Sequence, residues 1–327
     1  MLIVNPNVCI DRTISLTELI PGNVHRTGSA IATLGGKGVN VARVARSLDQ
    51  RGSLIAFLPR HDLTELRALA DKEHAELSGI EVDGSVRQAT ILLEATGRVT
   101  VLNEPGVQTR AADWRKLVEL VTAIAPNHQS LSCSGSLPPG SAVDAYAQVV
   151  LAAKASGLRT VVDATGSALA RALDVRPDVV SPNLAEAEAL LVGTTSEEVD
   201  PSGTDVIERA AAAVVGLQRL GAHHVIVSAG SHGAACDSDD DVMWCPAPTV
   251  NVVSPIGAGD SLVGGLVQAL EAHHSWIESV RFAIAVASAS CENPLAGGVD
   301  VRRVEQLLTD LPPCRPVGAG HLGEAGQ

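Results

Sequence analysis

Val253-Ser254-Pro255-Ile256-Gly257-Ala258-Gly259-Asp260-Ser261 runs directly into Leu262-Val263-Gly264-Gly265-Leu266-Val267. Small residues precede a carboxylate, and a long apolar pattern of helical character follows. The first N–H groups of such a helix lack an intrahelical partner, and the helix dipole makes that end electropositive. An anion can therefore rest against Gly257, Ala258 and Gly259, where no side chain bars its approach. Asp260 stands in the same turn, placed to take a proton from a hydroxyl that attacks the anion. A phosphate cradle with an attached base is the kernel of a phosphotransferase. The same letters also fit an ordinary glycine-rich turn with an acidic residue favoured by the dipole. Other segments must separate the two.

A chain of 327 residues can bury a large core, as one α/β domain or two smaller ones. Hydrophobic residues make up 46% and charged residues 19%, a balance that reads as globular. Only 2% are aromatic, so the core must come from Val, Leu, Ile and Ala, and stacking platforms for single-stranded nucleic acid are hard to build. The net charge of −13 argues against a nucleic-acid partner. A small anion remains compatible, because local cations and amides can outweigh the global charge. Cys9, Cys133, Cys236, Cys245, Cys291 and Cys314 include no Cys-x-x-Cys pair. Reduced, mostly buried thiols are expected, without a zinc site. The opening Met1-Leu2-Ile3-Val4-Asn5-Pro6 has no basic stretch or long apolar run. No signal peptide or membrane span is expected, and the cytoplasm is the expected location.

Short apolar strands alternate with helical patterns: Leu2 to Asn5, Leu54 to Leu58, Thr160 to Asp163, Asp178 to Ser181 and His224 to Ser228 read as strands. Val39 to Leu48, Leu63 to Ala75, Ala142 to Ala155, Thr204 to Leu220, Ser261 to Glu271 and Ser279 to Ser290 read as helices, with another starting at Glu186. Such alternation predicts a doubly wound, mostly parallel sheet with helices on both faces. Thr27 to Leu34, and Gln88 to Asn103 with its Thr96-Gly97 turn, break the rhythm and read as antiparallel hairpin strands. They predict a small projecting sheet that acts as a lid over the strand ends. The Gly- and Pro-rich segment 312–327 is expected to be a poorly ordered tail.

Several clusters carry candidate chemistry. Gly35-Gly36-Lys37-Gly38-Val39-Asn40 offers close backbone approach, a cation and an amide, a combination suited to a polyhydroxylated substrate. Taken alone it is also a plain glycine turn with a solvated lysine. In Ser181-Pro182-Asn183-Leu184-Ala185-Glu186, the amide and carboxylate share a helix face and suit a Mg²⁺ held mainly through waters. A helix-capping box explains the same spacing, and both roles are compatible. The strand Val225-Ile226-Val227-Ser228 ends in the turn Ala229-Gly230-Ser231-His232-Gly233, which suits a nucleotide or a simple tight turn. Asp11 follows the first strand, where its carboxylate can accept bonds from sugar hydroxyls.

The order of these signals resembles the phosphofructokinase B group of carbohydrate kinases, within the ribokinase-like family, from about Leu2 to Leu308. Within it the chain is similar to the 1-phosphofructokinase and tagatose-6-phosphate kinase branch. The similarity lies in Asn5-Pro6-Asn7-Val8-Cys9-Ile10-Asp11-Arg12-Thr13-Ile14, Gly38-Val39-Asn40-Val41-Ala42-Arg43, Asn103-Glu104-Pro105-Gly106 and Ser134-Gly135-Ser136-Leu137-Pro138-Pro139-Gly140. The resemblance implies a ribokinase-like α/β fold in one domain, 1–311, with lid strands within 13–34 and 86–104. It implies that Asp11, Gly36, Lys37 and Asn40 contact the sugar phosphate, and that Arg87 binds the phosphate already on it. Ser228, Gly230 and Gly233 would line the ATP site, Asn183 and Glu186 would organise Mg²⁺, Gly257, Ala258 and Gly259 would form the anion hole, and Asp260 would be the base. A homodimer through the lid sheets follows by the same resemblance.

Two departures qualify it. Ser181-Pro182-Asn183 stands where the branch usually has Lys-Pro-Asn, which removes a cation near the ATP phosphates. Phe57-Leu58-Pro59-Arg60-His61-Asp62 replaces a glycine-rich turn that normally lies near the sugar. The implied reaction is ATP-dependent phosphorylation of fructose 1-phosphate to fructose 1,6-bisphosphate. Alternatives are a kinase for tagatose 6-phosphate, fructose 6-phosphate or an unphosphorylated sugar, and, from another class, a weakly active nucleotide- or sugar-binding regulator.

Overall fold

A computed structural model describes residues 1–28, 30–193, 203, 205–239 and 241–318. In chain order the elements begin with β1 (Leu2–Val4), β2 (Cys9–Leu16), β3 (Ile31–Gly35), α1 (Lys37–Ser47), β4 (Ser53–Pro59), α2 (Leu63–Lys72) and β5 (Glu76–Val82). There follow β6 (Arg87–Glu94), β7 (Val99–Asn103), α3 (Ala111–Ile124), β8 (Ser130–Ser134), α4 (Ala145–Ala155), β9 (Arg159–Asp163), α5 (Gly166–Leu173), β10 (Val179–Val180) and α6 (Leu184–Val192). The last are α7 (Val206–Arg219), β11 (His224–Ser228), β12 (Gly233–Asp237), β13 (Val242–Pro246), α8 (Ala258–Glu271), α9 (Trp276–Cys291), α10 (Val301–Asp310) and β14 (Arg315–Pro316).

Ten strands form the main sheet in the order β14-β13-β12-β11-β10-β9-β8-β1-β4-β5. From β5 to β11 neighbouring strands run parallel, and β12, β13 and β14 continue the sheet antiparallel. The reason β1 reads as an unbroken apolar run is visible in its packing. Leu2 and Val4 join one core with residues of α3, α4, α5, α6 and α7, and Ile3 joins another with α1, α2, α8 and α9. Alternate residues of one strand thus face helices on opposite sides. With so few aromatic rings, these cores are filled by branched aliphatics and alanine, with Tyr146, Phe57, Trp114 and Trp244 the large exceptions.

Helix α8 is buried along most of its length. It fits between α1 and α9 because Gly264 and Gly265 carry no side chain. A Cβ on Gly264 would stand 2.7 Å from Val44 Cγ1, and one on Gly265 would stand 2.9 Å from Val286 Cγ2. The close approach fixes where the first turn of α8 lies relative to α1.

The second sheet has four strands in the order β3-β2-β6-β7. It matches the projecting sheet expected from the sequence, with β6 and β7 joined at Thr96-Gly97. Its pairing is mixed rather than hairpin-only, because β2 and β6 run parallel in register from Cys9↔Arg87 to Leu16↔Glu94. Strand β2 also starts earlier, at Cys9, and the strand expected from Thr27 begins at Ile31. Part of that stretch, and the start of the helix expected from Thr204, lie outside the described residues.

Two expectations are corrected. Cys245 and Cys314 form a disulfide rather than two reduced thiols, while Cys9, Cys133, Cys236 and Cys291 are free. The cause is the sheet edge: β14 lies antiparallel on β13, with Trp244 opposite Arg315, which brings the two Cα atoms to 4.3 Å. For the same reason the tail expected from Pro312 is anchored at its start. Residues 319–327 lie outside the described residues. Among the described residues no helix is long and apolar enough to cross a membrane.

Candidate active site

The site residues collect where α/β folds gather ligands, beyond the C-terminal ends of the parallel strands. Asn5 follows β1, Ser134 and Asp163 end β8 and β9, Ser181 and Asn183 follow β10, and Ser228 ends β11. Ser228 and Asn183 form a parallel bridge, so the last two ends are adjacent.

Two helix N-termini face this edge. Gly36 caps α1 with φ 121, and a Cβ there would stand 2.5 Å from Asn5 Oδ1. Asn5 Oδ1 accepts from the Val39 N–H at 3.3 Å, which ties α1 to the end of β1. Gly257 caps α8 in the left-handed conformation, φ 81, which a side chain would oppose. The Ala258 N–H is turned back onto the Pro255 carbonyl at 3.3 Å. The next amides, of Gly259 and Asp260, belong to the first turn, where helix geometry supplies no partner. Space around Gly259 is open, with nothing within 4 Å of where its Cβ would be.

Asp260 is 6% exposed, and the Asn40 amide donates to its Oδ2 at 2.6 Å. Burial pushes its carboxyl up to about 7; Lys37 and the Asn40 bond oppose the rise, and Asp163 and Glu186 add to it. Lys37 Nζ lies 3.2 Å from Asp163 Oδ1 and 3.6 Å from Glu186 Oε1. One ammonium thus serves three carboxylates. Burial disfavours its charge, but Asp163, Glu186 and Asp260 outweigh that and hold the ammonium above its ordinary range. Burial likewise raises Glu186, against the pull of Lys37.

Asn183 and Glu186 form the capping box of α6. Asn183 Oδ1 accepts from the Glu186 N–H at 2.8 Å, and Glu186 Oε2 accepts from the Asn183 N–H at 3.0 Å. The Asn183 oxygen is therefore committed to the cap, while Glu186 Oε1 faces Lys37. Asp163 was not among the residues expected from the sequence. It is 4% exposed, and its Oδ2 is buried without a hydrogen-bond partner. Such an atom calls for a ligand. Its oxygen and that of Glu186 are hard donors of the kind Mg²⁺ takes while keeping several waters. Among the described residues no three His, Cys, Asp or Glu side chains form a complete metal cage.

Lys37 was expected beside Arg87 on a substrate phosphate. The structure shows it instead engaged by β9 and α6. A cation thus stands on the Ser181 side of the site, supplied by α1. Arg87 lies elsewhere: its Nε donates to the Asn7 carbonyl at 3.0 Å, and it pairs in register with Cys9 in the lid. Asp11 accepts from the Cys9 thiol at 3.1 Å, and burial raises its carboxyl while Arg43 and Arg87 pull it down. Gly230 lies in the single turn after β11. Gly233 is explained locally, since a Cβ there would collide with the Cys245 carbonyl.

The arrangement comprises a buried, proton-poised carboxylate at a helix N-terminus, a lysine among carboxylates and a lid sheet. It has the parts that phosphoryl transfer calls for, and it is carried on a ribokinase-like fold. The pfkB family carbohydrate kinase model matches residues 5–301. The chain belongs to the pfkB family of carbohydrate kinases and is an ATP-dependent carbohydrate kinase. It is 35% identical over 311 residues to a 1-phosphofructokinase of Haloferax volcanii, covering 95% of this chain and 96% of that protein. It is 32% identical to the ATP-dependent 6-phosphofructokinase isozyme 2 of Escherichia coli, covering 87% and 90%. The solved phosphofructokinase-2 of Escherichia coli in complex with potassium superposes with a TM-score of 0.83 at 28% identity, over 95% of this chain and 98% of the other.

Asp260→Asn keeps size and the acceptor for Asn40 but cannot take a proton. It is expected to lower kcat by about 10²–10⁴. Wild-type activity, which needs the ionised base, should fall as pH drops through about 7. Stability moves the other way. With the folded value raised above the ordinary 3.8, the native state keeps a proton that the unfolded chain has lost, so stability declines as pH rises between the two values. The variant lacks that decline, so its Tm should exceed wild type at pH 8 and lose the advantage near pH 4. A folded Asp260→Asn with normal kcat would remove Asp260 from the chemistry.

Proposed function

We propose that the chain transfers the γ-phosphoryl group of ATP to fructose 1-phosphate, giving fructose 1,6-bisphosphate. The observation that carries the reading is the buried Asp260 in the first turn of α8, beside amides with no intrahelical partner. The acceptor hydroxyl gives its proton to Asp260 as its oxygen bonds to the γ-phosphorus and the bond to the ADP oxygen breaks. The Gly257–Gly259 turn holds the charge on the transferring oxygens, and Lys37 places a fixed cation next to it. Asp163 Oδ2 and Glu186 Oε1 would hold Mg²⁺, directly or through waters, with Asn183 acting by capping α6. Bound there, the ion would neutralise phosphate charge. Ser228 bridges to Asn183, which supports an ATP site along β11 and the turn that holds Gly230, with Gly233 at its border.

The acceptor assignment rests on the branch resemblance and on several similar proteins named 1-phosphofructokinase. The relative named 6-phosphofructokinase isozyme 2 keeps fructose 6-phosphate as the second reading. Both acceptors lead to the same bisphosphate, so the product alone does not separate them. Arg87, bonded to the Asn7 carbonyl, interacts with Asp11 in the lid, a setting for a sugar phosphate, with Gly36 and Asn40 at the start of α1 completing the proposed sugar site. Homodimerisation through the lid sheets is part of the same proposal. Ile31 on β3 and Val101 on β7 lie in one cross-strand row with Thr13 and Ile91, on the same face of the sheet, and are 64% and 42% exposed, an apolar surface that a second lid sheet would cover.

Glu186→Gln keeps the capping acceptor but removes the charge. It is expected to raise the Mg²⁺ concentration needed for half-maximal rate, with little change in Tm; unaltered metal dependence leaves Glu186 a cap alone. Arg87→Ala is expected to raise KM for fructose 1-phosphate by about 10–100-fold, the worth of one charge-assisted phosphate contact. KM for ATP and for unphosphorylated fructose should hardly move. Equal effects on both acceptors would take Arg87 off the phosphate.

A further inference from the structure

Arg43, on α1, is 4% exposed, and its guanidinium is fully committed. Nε donates to Glu73 Oε2 at 2.7 Å, and Nη2 lies 2.6 Å from the same oxygen. Nη2 also donates to the Leu34 carbonyl. Nη1 donates to Asn40 Oδ1 at 2.7 Å and to the Ala296 carbonyl at 3.2 Å. Glu73 in turn accepts from the Leu34 N–H at 2.7 Å, so the pair grips the end of the lid strand β3.

The contact with Asn40 has a chemical consequence. An amide has one accepting end and one donating end. With Oδ1 turned to the guanidinium, Nδ2 must face Asp260, where it donates at 2.6 Å. Flipping the amide would set its NH₂ against a cation and its oxygen against a carboxylate. Arg43 therefore decides which end of Asn40 meets the base, and Glu73, whose Oε2 meets both Nε and Nη2, decides where Arg43 stands.

We propose that Arg43, held by Glu73, is a positioning residue for phosphoryl transfer, acting through Asn40 to orient the Asp260 carboxylate. The inference rests on the reading of Asp260 as the base. A buried arginine that only tied α1 to Glu73 and Leu34 would stabilise the fold without passing through Asn40. The two roles part in a double-mutant cycle on kcat.

The experiment measures kcat, KM for ATP and Tm for wild type, Arg43→Leu, Asn40→Ala and the double variant. Misplacing a catalytic group costs about 10²-fold, so Arg43→Leu should lower kcat by about that factor with KM for ATP unchanged. In the Asn40→Ala background the same change should lower kcat by less than about threefold. Equal losses of kcat in both backgrounds, or an unchanged kcat in Arg43→Leu, would overturn the proposal. Removing Arg43 leaves the half-buried Glu73 carboxylate without its cation, so that variant can fail to fold. In that case Arg43→Lys serves, since an ammonium cannot reproduce the fork that meets Glu73 and Asn40 together. The same pattern of loss and its absence is then expected. Asp260→Asn runs in the same assay: normal kcat there sinks the base assignment, whereas additive losses beside an inactive Asp260→Asn sink only the Arg43 proposal.

Discussion

The site depends on keeping a carboxylate buried at the mouth of α8 with two other carboxylates close by. Left alone, such a group would simply stay protonated. The structure answers with one ammonium, Lys37, and one oriented amide, Asn40, both from the first turn of α1. That requires α1 and α8 to meet at a fixed height, which the close contact at Gly264 permits, while Gly265 lets α9 pack on the other side. Helix packing and proton chemistry are thus one constraint. A bulkier α8 would push Asp260 away from Asn40, and a neutral residue at Lys37 would leave Asp163, Glu186 and Asp260 with no shared cation.

Asp163 shows the same balance from the other side. One of its oxygens is paired with Lys37, and the other is buried with no partner. The lysine also supplies a positive charge on the side where Ser181 replaces the cation expected from the resemblance. A kinase has to bring four or so negative charges of ATP against its own carboxylates. The arrangement of one fixed cation, an open donor on Asp163, the Glu186 carboxylate beside it and helix N-termini suits that task.

Much of the fold was legible because it is local. Val/Leu/Ile runs bounded by turns gave β1, β4, β9 and β11, and apolar periodicity gave α1, α2, α4 and α8. The lid was legible from the change of rhythm around Thr96-Gly97. What escaped was non-local or weakly patterned. The disulfide joins residues 69 positions apart and exists because β14 pairs with β13. The parallel pairing of β2 with β6 likewise has no local sign. In the site, short motifs pointed to Asp260, Asn183 and Glu186, since each lies at a helix start with a recognisable spacing. Asp163 could have been found as the carboxylate that closes an apolar strand. Arg43 could not, because its meaning lies in Glu73, Leu34 and Ala296, which only tertiary structure assembles. Lys37 was found by motif but given a different neighbourhood, since sequence order does not tell which of two anionic groups a long side chain reaches.

The protonation state of Asp260 in the folded protein can be observed directly. Carboxyl-¹³C-labelled aspartate followed by NMR across pH, with the Asp260 signal assigned by its loss in Asp260→Asn, reports the titration of this one group. A midpoint near 7 is predicted, far above the ordinary aspartate range, as burial among Asp163 and Glu186 requires. A midpoint near 4 would mean a solvated carboxylate, and would contradict a buried base held ready for proton transfer.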